Sequence, residues 1–109
     1  MARQEAFQGS LPLLVLEILA RNGPQHGYGI TVRIQSVSEG VLRVEEGSLY
    51  PALHRLEEAG WIKAKWVTTD NKRRAREYGI TAKGRQFLAA EEERWLAVNA
   101  ALVRVLKHA

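Results

Sequence analysis

The run LPLLVLEILA, residues 11–20, constrains this chain more than any other stretch. Wound as a helix it is apolar on nearly every side: Leu11, Leu13, Leu14, Val15, Leu16, Ile18 and Leu19 leave no wide solvent face. Such a helix must be covered on more than one side. With 109 residues the chain has room for one core, so part of that cover is expected from a second chain. The run is too short to span a bilayer and contains Glu17, so neither a signal peptide nor a membrane partner is expected, and the expected compartment is the cytoplasm.

Punctuation residues divide the rest. Residues 1–9 read as a mobile lead-in from which Phe7 can pack back onto the body. Ser10 suits an N-cap, with Pro12 in the first turn of a helix over about 11–21, and Asn22-Gly23-Pro24 ends it. A second helix over roughly 27–38 buries Ile30, Ile34 and Val37, with Gly27 and Gly29 allowing a close neighbour and Gly40 closing it. Val41 to Val44 reads as a brief strand. A third helix starts near Gly47 or Ser48; with Ser48 as cap, Pro51 falls at the third helical position, where its missing N–H costs no bond. Gly60 ends that helix. WIKAKWVT (61–68) alternates as a strand, Asp70-Asn71 suits a turn, and Arg76 to Thr81 returns as the second strand of a hairpin. Thr81 caps a last helix over about 82–107. Leu88, Trp95 and Leu102 recur there every seven residues, interleaved with Glu91, Val98 and Val105, as in a dimerisation seam.

The expected class is therefore mainly α with a small β-hairpin wing (α+β). It is a winged helix-turn-helix over residues 1–81 followed by a long C-terminal dimerisation helix over 82–109. In such a fold the exposed face of the third helix enters the major groove of double-stranded DNA and the hairpin reaches the flanking backbone. Leu49, Leu53 and Leu56 share one face of the third helix; Ser48, His54 and Arg55 lie opposite, with Glu58. Arg can donate twice to a guanine edge, and His and Ser can donate or accept. Tyr50 sits at the edge of that face, its hydroxyl within reach of a phosphate. The alternative is a polar face with no partner. The charge favours DNA: residues 63–76 hold six basic side chains against Asp70 alone, whereas the whole chain carries +4. Lys72, Arg73, Arg74 and Arg76 are accordingly candidate contacts, the first three as phosphate contacts at the hairpin tip. Lys63 and Lys65 read as the solvated face of a strand.

GSLYPALHRLEEAGWI (47–62), preceded by HGYGI (26–30) and followed by YGITAKG (78–84), resembles the PadR family of bacterial transcriptional regulators over about residues 11–95. The resemblance implies a dimeric winged-helix repressor that binds a palindromic promoter site and whose last helix crosses into its partner. It also implies that Tyr50 and Pro51 open the reading helix and that Tyr28 supports it. Many members have an aromatic where this chain has Glu77, and the chain resembles the short members that lack an extra C-terminal helical domain.

Trp95 is expected in the dimer core with Leu88, Val98, Leu102 and Val105; the alternative is that it lines a gap where a small aromatic ligand stacks. Trp61 and Trp66 read as packing residues of the hairpin. There is no cysteine, His26, His54 and His108 fall on separate elements, and no nucleophile motif or phosphate loop is present. No catalysis, metal or cofactor is expected. Two rival readings remain: a winged-helix module that binds protein, and a ligand-binding dimer without specific DNA binding.

Overall fold

A computed structural model describes the backbone of residues 2–109 and the side chains from Ser10 onward. Helix α1 (Ala2–Asn22) is the post against which the rest packs, followed by α2 (Gly27–Val37), α3 (Glu46–Glu58), strands β1 (Ile62–Thr68) and β2 (Arg74–Ile80), and α4 (Ala82–His108). Val15 and Leu16 on α1 are wholly buried and meet Ile30 and Ile34 of α2, Leu49, Leu53 and Leu56 of α3, Ile62, Tyr78 and Leu88 in one cluster. Burying each such aliphatic side chain contributes about 1.5–3 kcal/mol. Leu13 and Leu14, on the rest of α1, are only partly buried.

Several boundaries differ from the expectations above. α1 begins at Ala2, so Ser10 and Pro12 lie inside the helix rather than at its start. Alanine, arginine, glutamine and glutamate in residues 2–6 are good helix formers, and the lead-in continues the helix despite the donor that proline lacks. The packing expected of Phe7 lies outside the described side chains. Val37 is exposed, because α2 ends there and the chain leaves the core through Glu39 and Gly40, both at positive φ. No strand forms at 41–44. The segment is tied instead by Leu42 N–H donating to Ser38 Oγ (3.0 Å), while the edge of β2 that an extra strand could use is occupied by Gln25. Gln25 and Tyr78 exchange both backbone bonds, at 2.9 and 2.8 Å.

α3 starts at Glu46 with Glu45 as N-cap, so Pro51 is at the sixth helical position and not the third. Its lack of an N–H denies a bond to the carbonyl of Gly47, a solvent-exposed residue. The other end matches the sequence reading closely: Gly60 has φ +81°, Trp61 N–H donates to Leu56 O and Gly60 N–H to Glu57 O. That pattern is the Schellman motif. β2 starts at Arg74, two residues earlier than expected, with Thr68 opposite Arg74 and Trp66 opposite Arg76.

The junction between α3, the hairpin and α4 is tight. Thr81 caps α4 by accepting from Gly84 N–H (3.0 Å) and donates its hydroxyl to Gly60 O (2.7 Å). Trp61 O accepts from Thr81 N–H (3.0 Å), and the Trp61 and Phe87 rings stack 3.7 Å apart. Gly84 is jammed beneath: a Cβ there would lie 2.1 Å from Trp61 O. Beyond Glu92, α4 leaves the body. Trp95, Leu96, Val98, Leu102, Val103, Val105 and Leu106 are all exposed along it. The molecule is correspondingly elongated, 57 × 28 × 21 Å.

Two outcomes follow from this packing. Gly84→Ala forces backbone against backbone and is expected to destabilise by about 3 kcal/mol or more, the upper end for overpacking, read from the denaturant midpoint. The second concerns α1 and α4, which meet at Glu17 and Glu92. A hydrogen bond to Glu17, then the charge of Glu17 and partial burial, hold the Glu92 carboxyl above its ordinary range, with Arg21 opposing. A folded-state pKa raised in this way contributes stability below the ordinary carboxylate range and loses it as pH rises through the raised value. Glu92→Gln keeps a donor and removes the repulsion. It is expected to raise the thermal midpoint at about pH 7 and to lose that advantage at pH values below the carboxylate range, about pH 4.

Candidate nucleic-acid interface

The polar side of α3 faces outward because Leu49, Ala52, Leu53 and Leu56 turn the opposite side into the core. Pro51, His54, Arg55 and Glu58 are exposed, and Ser48 is half-buried. His54 Nε2 lies 3.5 Å from Glu58 one turn on, so Glu58 tempers any positive charge there. Arg55 has no ion pair among the described residues. Tyr50 is 46% exposed, and its hydroxyl lies against Gly27 at the start of α2, where an added Cβ would sit 3.1 Å away. Gly27 therefore lets α2 and α3 close up, which places Tyr28, also exposed, near the start of α3.

The hairpin carries the basic residues beside α3. Its loop is fixed by its own bonds: Thr69 N–H donates to Arg73 O (2.8 Å), Lys72 N–H to Thr69 O (2.9 Å), and Arg73 N–H to Thr69 Oγ1 (3.3 Å). Lys72 adopts φ +60° to complete the turn. Lys72 and Arg73 thus project from an ordered tip. Arg74 belongs to β2 rather than to the tip, and its guanidinium lies 4.9 Å from the centre of the Trp66 ring. Trp66 is 55% exposed, so it is a surface platform for arginine and not the packing residue expected; Trp61, stacked on Phe87, does pack. Lys65 is paired with Glu77 across the strands at 3.7 Å, and Lys63 is solvated.

Arg76 behaves differently from its neighbours. Its Nη2 is 3.1 Å from Glu57 Oε2 on α3, its guanidinium lies over Trp66 (5.4 Å) and Tyr78 (6.0 Å), and its carbonyl accepts from His26 Nδ1 at 3.0 Å. Glu57, Trp66 and His26 were missed as parts of this surface. Glu57 has no local signal, since its partner is on another element. Trp66 was legible in principle, because the register that sets it opposite Arg76 follows once β2 begins at Arg74. Of the seam residues, Leu88 is buried within the chain, whereas Trp95, Val98, Leu102 and Val105 are exposed, so the structure brings only the first into a core. No helix among the described residues is long and apolar enough to cross a membrane.

This architecture is shared by known proteins. The Transcriptional regulator PadR-like family profile matches residues 15–90. The transcriptional regulator YqjI of Escherichia coli is 32% identical over 92 residues, which span 84% of this chain and 42% of YqjI. A transcriptional regulator from Clostridium thermocellum has a structure similar to this one with a TM-score of 0.81, 25% identity, and coverage of 92% of this chain and 93% of that one. Bacillus subtilis PadR, solved in complex with operator DNA, is similar with a TM-score of 0.65 and 27% identity over 79% of this chain and 46% of PadR. The chain thus spans less than half the length of YqjI and of PadR. With the profile covering most of the chain and a winged helix-turn-helix beneath it, the chain belongs to the PadR-like family of DNA-binding transcriptional regulators.

Proposed function

We propose that the chain is a homodimeric, sequence-reading repressor that binds a palindromic promoter site. The observation that carries this reading is the outward polar face of α3, with His54 and with Arg55, which has no ion pair among the described residues, standing beside a basic hairpin that is tied to the same helix through Glu57. In this reading Ser48, His54 and Arg55 meet base edges, Tyr50 reaches a phosphate, and Lys72, Arg73 and Arg74 hold the flanking backbone. Residues 1–81 form the DNA-binding part and 82–109 the dimerisation helix. The exposed stripe of Trp95, Val98, Leu102 and Val105 is covered by a second copy, which also completes the cover of Leu13 and Leu14 on α1. Repression then needs nothing more than occupation of the promoter. A small aromatic ligand that released the dimer from DNA would act at Trp95, and quenching of its fluorescence would report it.

Selection of bound duplexes from a random-sequence pool tests the reading. It is expected to return an inverted repeat with half-sites about one helical turn apart. Recovery of no consensus, with binding lost as salt rises, would overturn it in favour of a protein-binding module. On the recovered site, Arg55→Ala is expected to cost about 1–3 kcal/mol of discrimination at the base it reads. Arg73→Ala should weaken all sequences alike and make the slope of log affinity against log salt shallower by about 0.9. Leu102→Lys places a charge in the apolar stripe and is expected to give a monomer in sedimentation velocity.

A further inference from the structure

We infer that Arg76 is a positioning residue: held by Glu57, it fixes the hairpin at one angle to α3 and does not itself bind a phosphate. The inference rests on the reading of α3 and the hairpin as a joint DNA surface. It starts from a contrast within the basic stripe. Lys65 pairs inside the hairpin and Arg74 stacks on Trp66 inside the hairpin. Lys72 and Arg73 have no ion pair among the described residues. Arg76 is the hairpin cation whose ion pair reaches another element, through the 3.1 Å contact to Glu57 in the last turn of α3.

The same residue is held from two further directions. Trp66 of β1 and Tyr78 of β2 flank its guanidinium, and its carbonyl accepts a hydrogen bond from Nδ1 of His26 just before α2. Two residues on, Tyr78 and Gln25 exchange both backbone bonds. Arg76 therefore sits where α3, the segment entering α2 and both strands converge. A phosphate contact made through Nη2 would break the Glu57 pair and leave an uncompensated carboxylate beside a polyanion. An ion pair this exposed adds little to stability, so its consequence is geometric. A hairpin already set at the angle at which it meets the backbone loses less orientational freedom on binding.

Electrostatics alone predicts the opposite sign, since deleting a carboxylate from a DNA-facing surface should strengthen binding. That difference decides the test. Glu57→Gln and Arg76→Gln would be made in the full chain, with fluorescence anisotropy across a salt series on a short mixed-sequence duplex and on the selected site. Hydrogen exchange at the Gln25 and Tyr78 amides would be followed without DNA. Both variants are expected to exchange faster at those amides and to bind more weakly, by up to about fivefold, the scale of one exposed ion pair. The salt slope is expected to stay that of the parent. Tighter binding by Glu57→Gln, a slope made shallower by about 0.9 in Arg76→Gln, or unchanged exchange in both would each overturn the assignment. Failure of the pool to yield a consensus would overturn the sequence-reading role instead, because exchange and the mixed-sequence slopes do not depend on it.

Discussion

The close approach of the first turn of α4 to the chain leaving α3 is the contact on which the arrangement depends. Trp61 O, Thr81 and Gly84 join three elements within a few bonds: the end of α3, the base of the hairpin and the start of α4. Any side chain at residue 84 would separate them. The stacked Trp61 and Phe87 rings add an aromatic contact across the same junction. The hairpin and α4 are therefore both placed by the way α3 ends.

That ending also accounts for the division of labour along α3. Its buried side is short and aliphatic and fits against α1, while its outer side is free of packing constraints and can carry residues chosen for what they touch. Proline falls within the helix where the residue whose bond it denies, Gly47, is exposed. Glycine at 27 lets α2 approach until it meets the Tyr50 hydroxyl, so the two aromatic hydroxyls come from helices that almost touch.

Much of this was legible in the sequence wherever a local rule operates. Gly60 with Trp61, Thr81 as a cap, the first half of β1, Ile30 and Ile34 on α2 and the apolar face of α3 each follow from a spacing or a backbone preference. The exposure of His54 and Arg55 followed from the same helical phase. What escaped depends on distant partners. The Gln25–Tyr78 bridge joins residues fifty-odd positions apart with no strand-like run around Gln25. Val41 to Val44 has strand-forming residues, but the place beside Tyr78 on the outer edge of β2 is held by Gln25. α1 runs through two apparent start signals, Ser10 and Pro12, because good helix formers precede them. In the candidate interface, Arg76 was visible as a charge, but its pairing with Glu57 was not, since nothing in a sequence states which acid an arginine will meet.

Lys83 has one more consequence. Its Nζ donates to Ala59 O (2.9 Å), at the C-terminal end of α3. The aligned peptide dipoles of a helix leave roughly half a negative charge at that end. Glu57 and Glu58 in the last turn add to that negative charge. The ammonium group of the following helix screens the pole at its source. The helix that extends away from the body thus also adjusts the field at the far end of α3, through one side chain placed two residues after the cap.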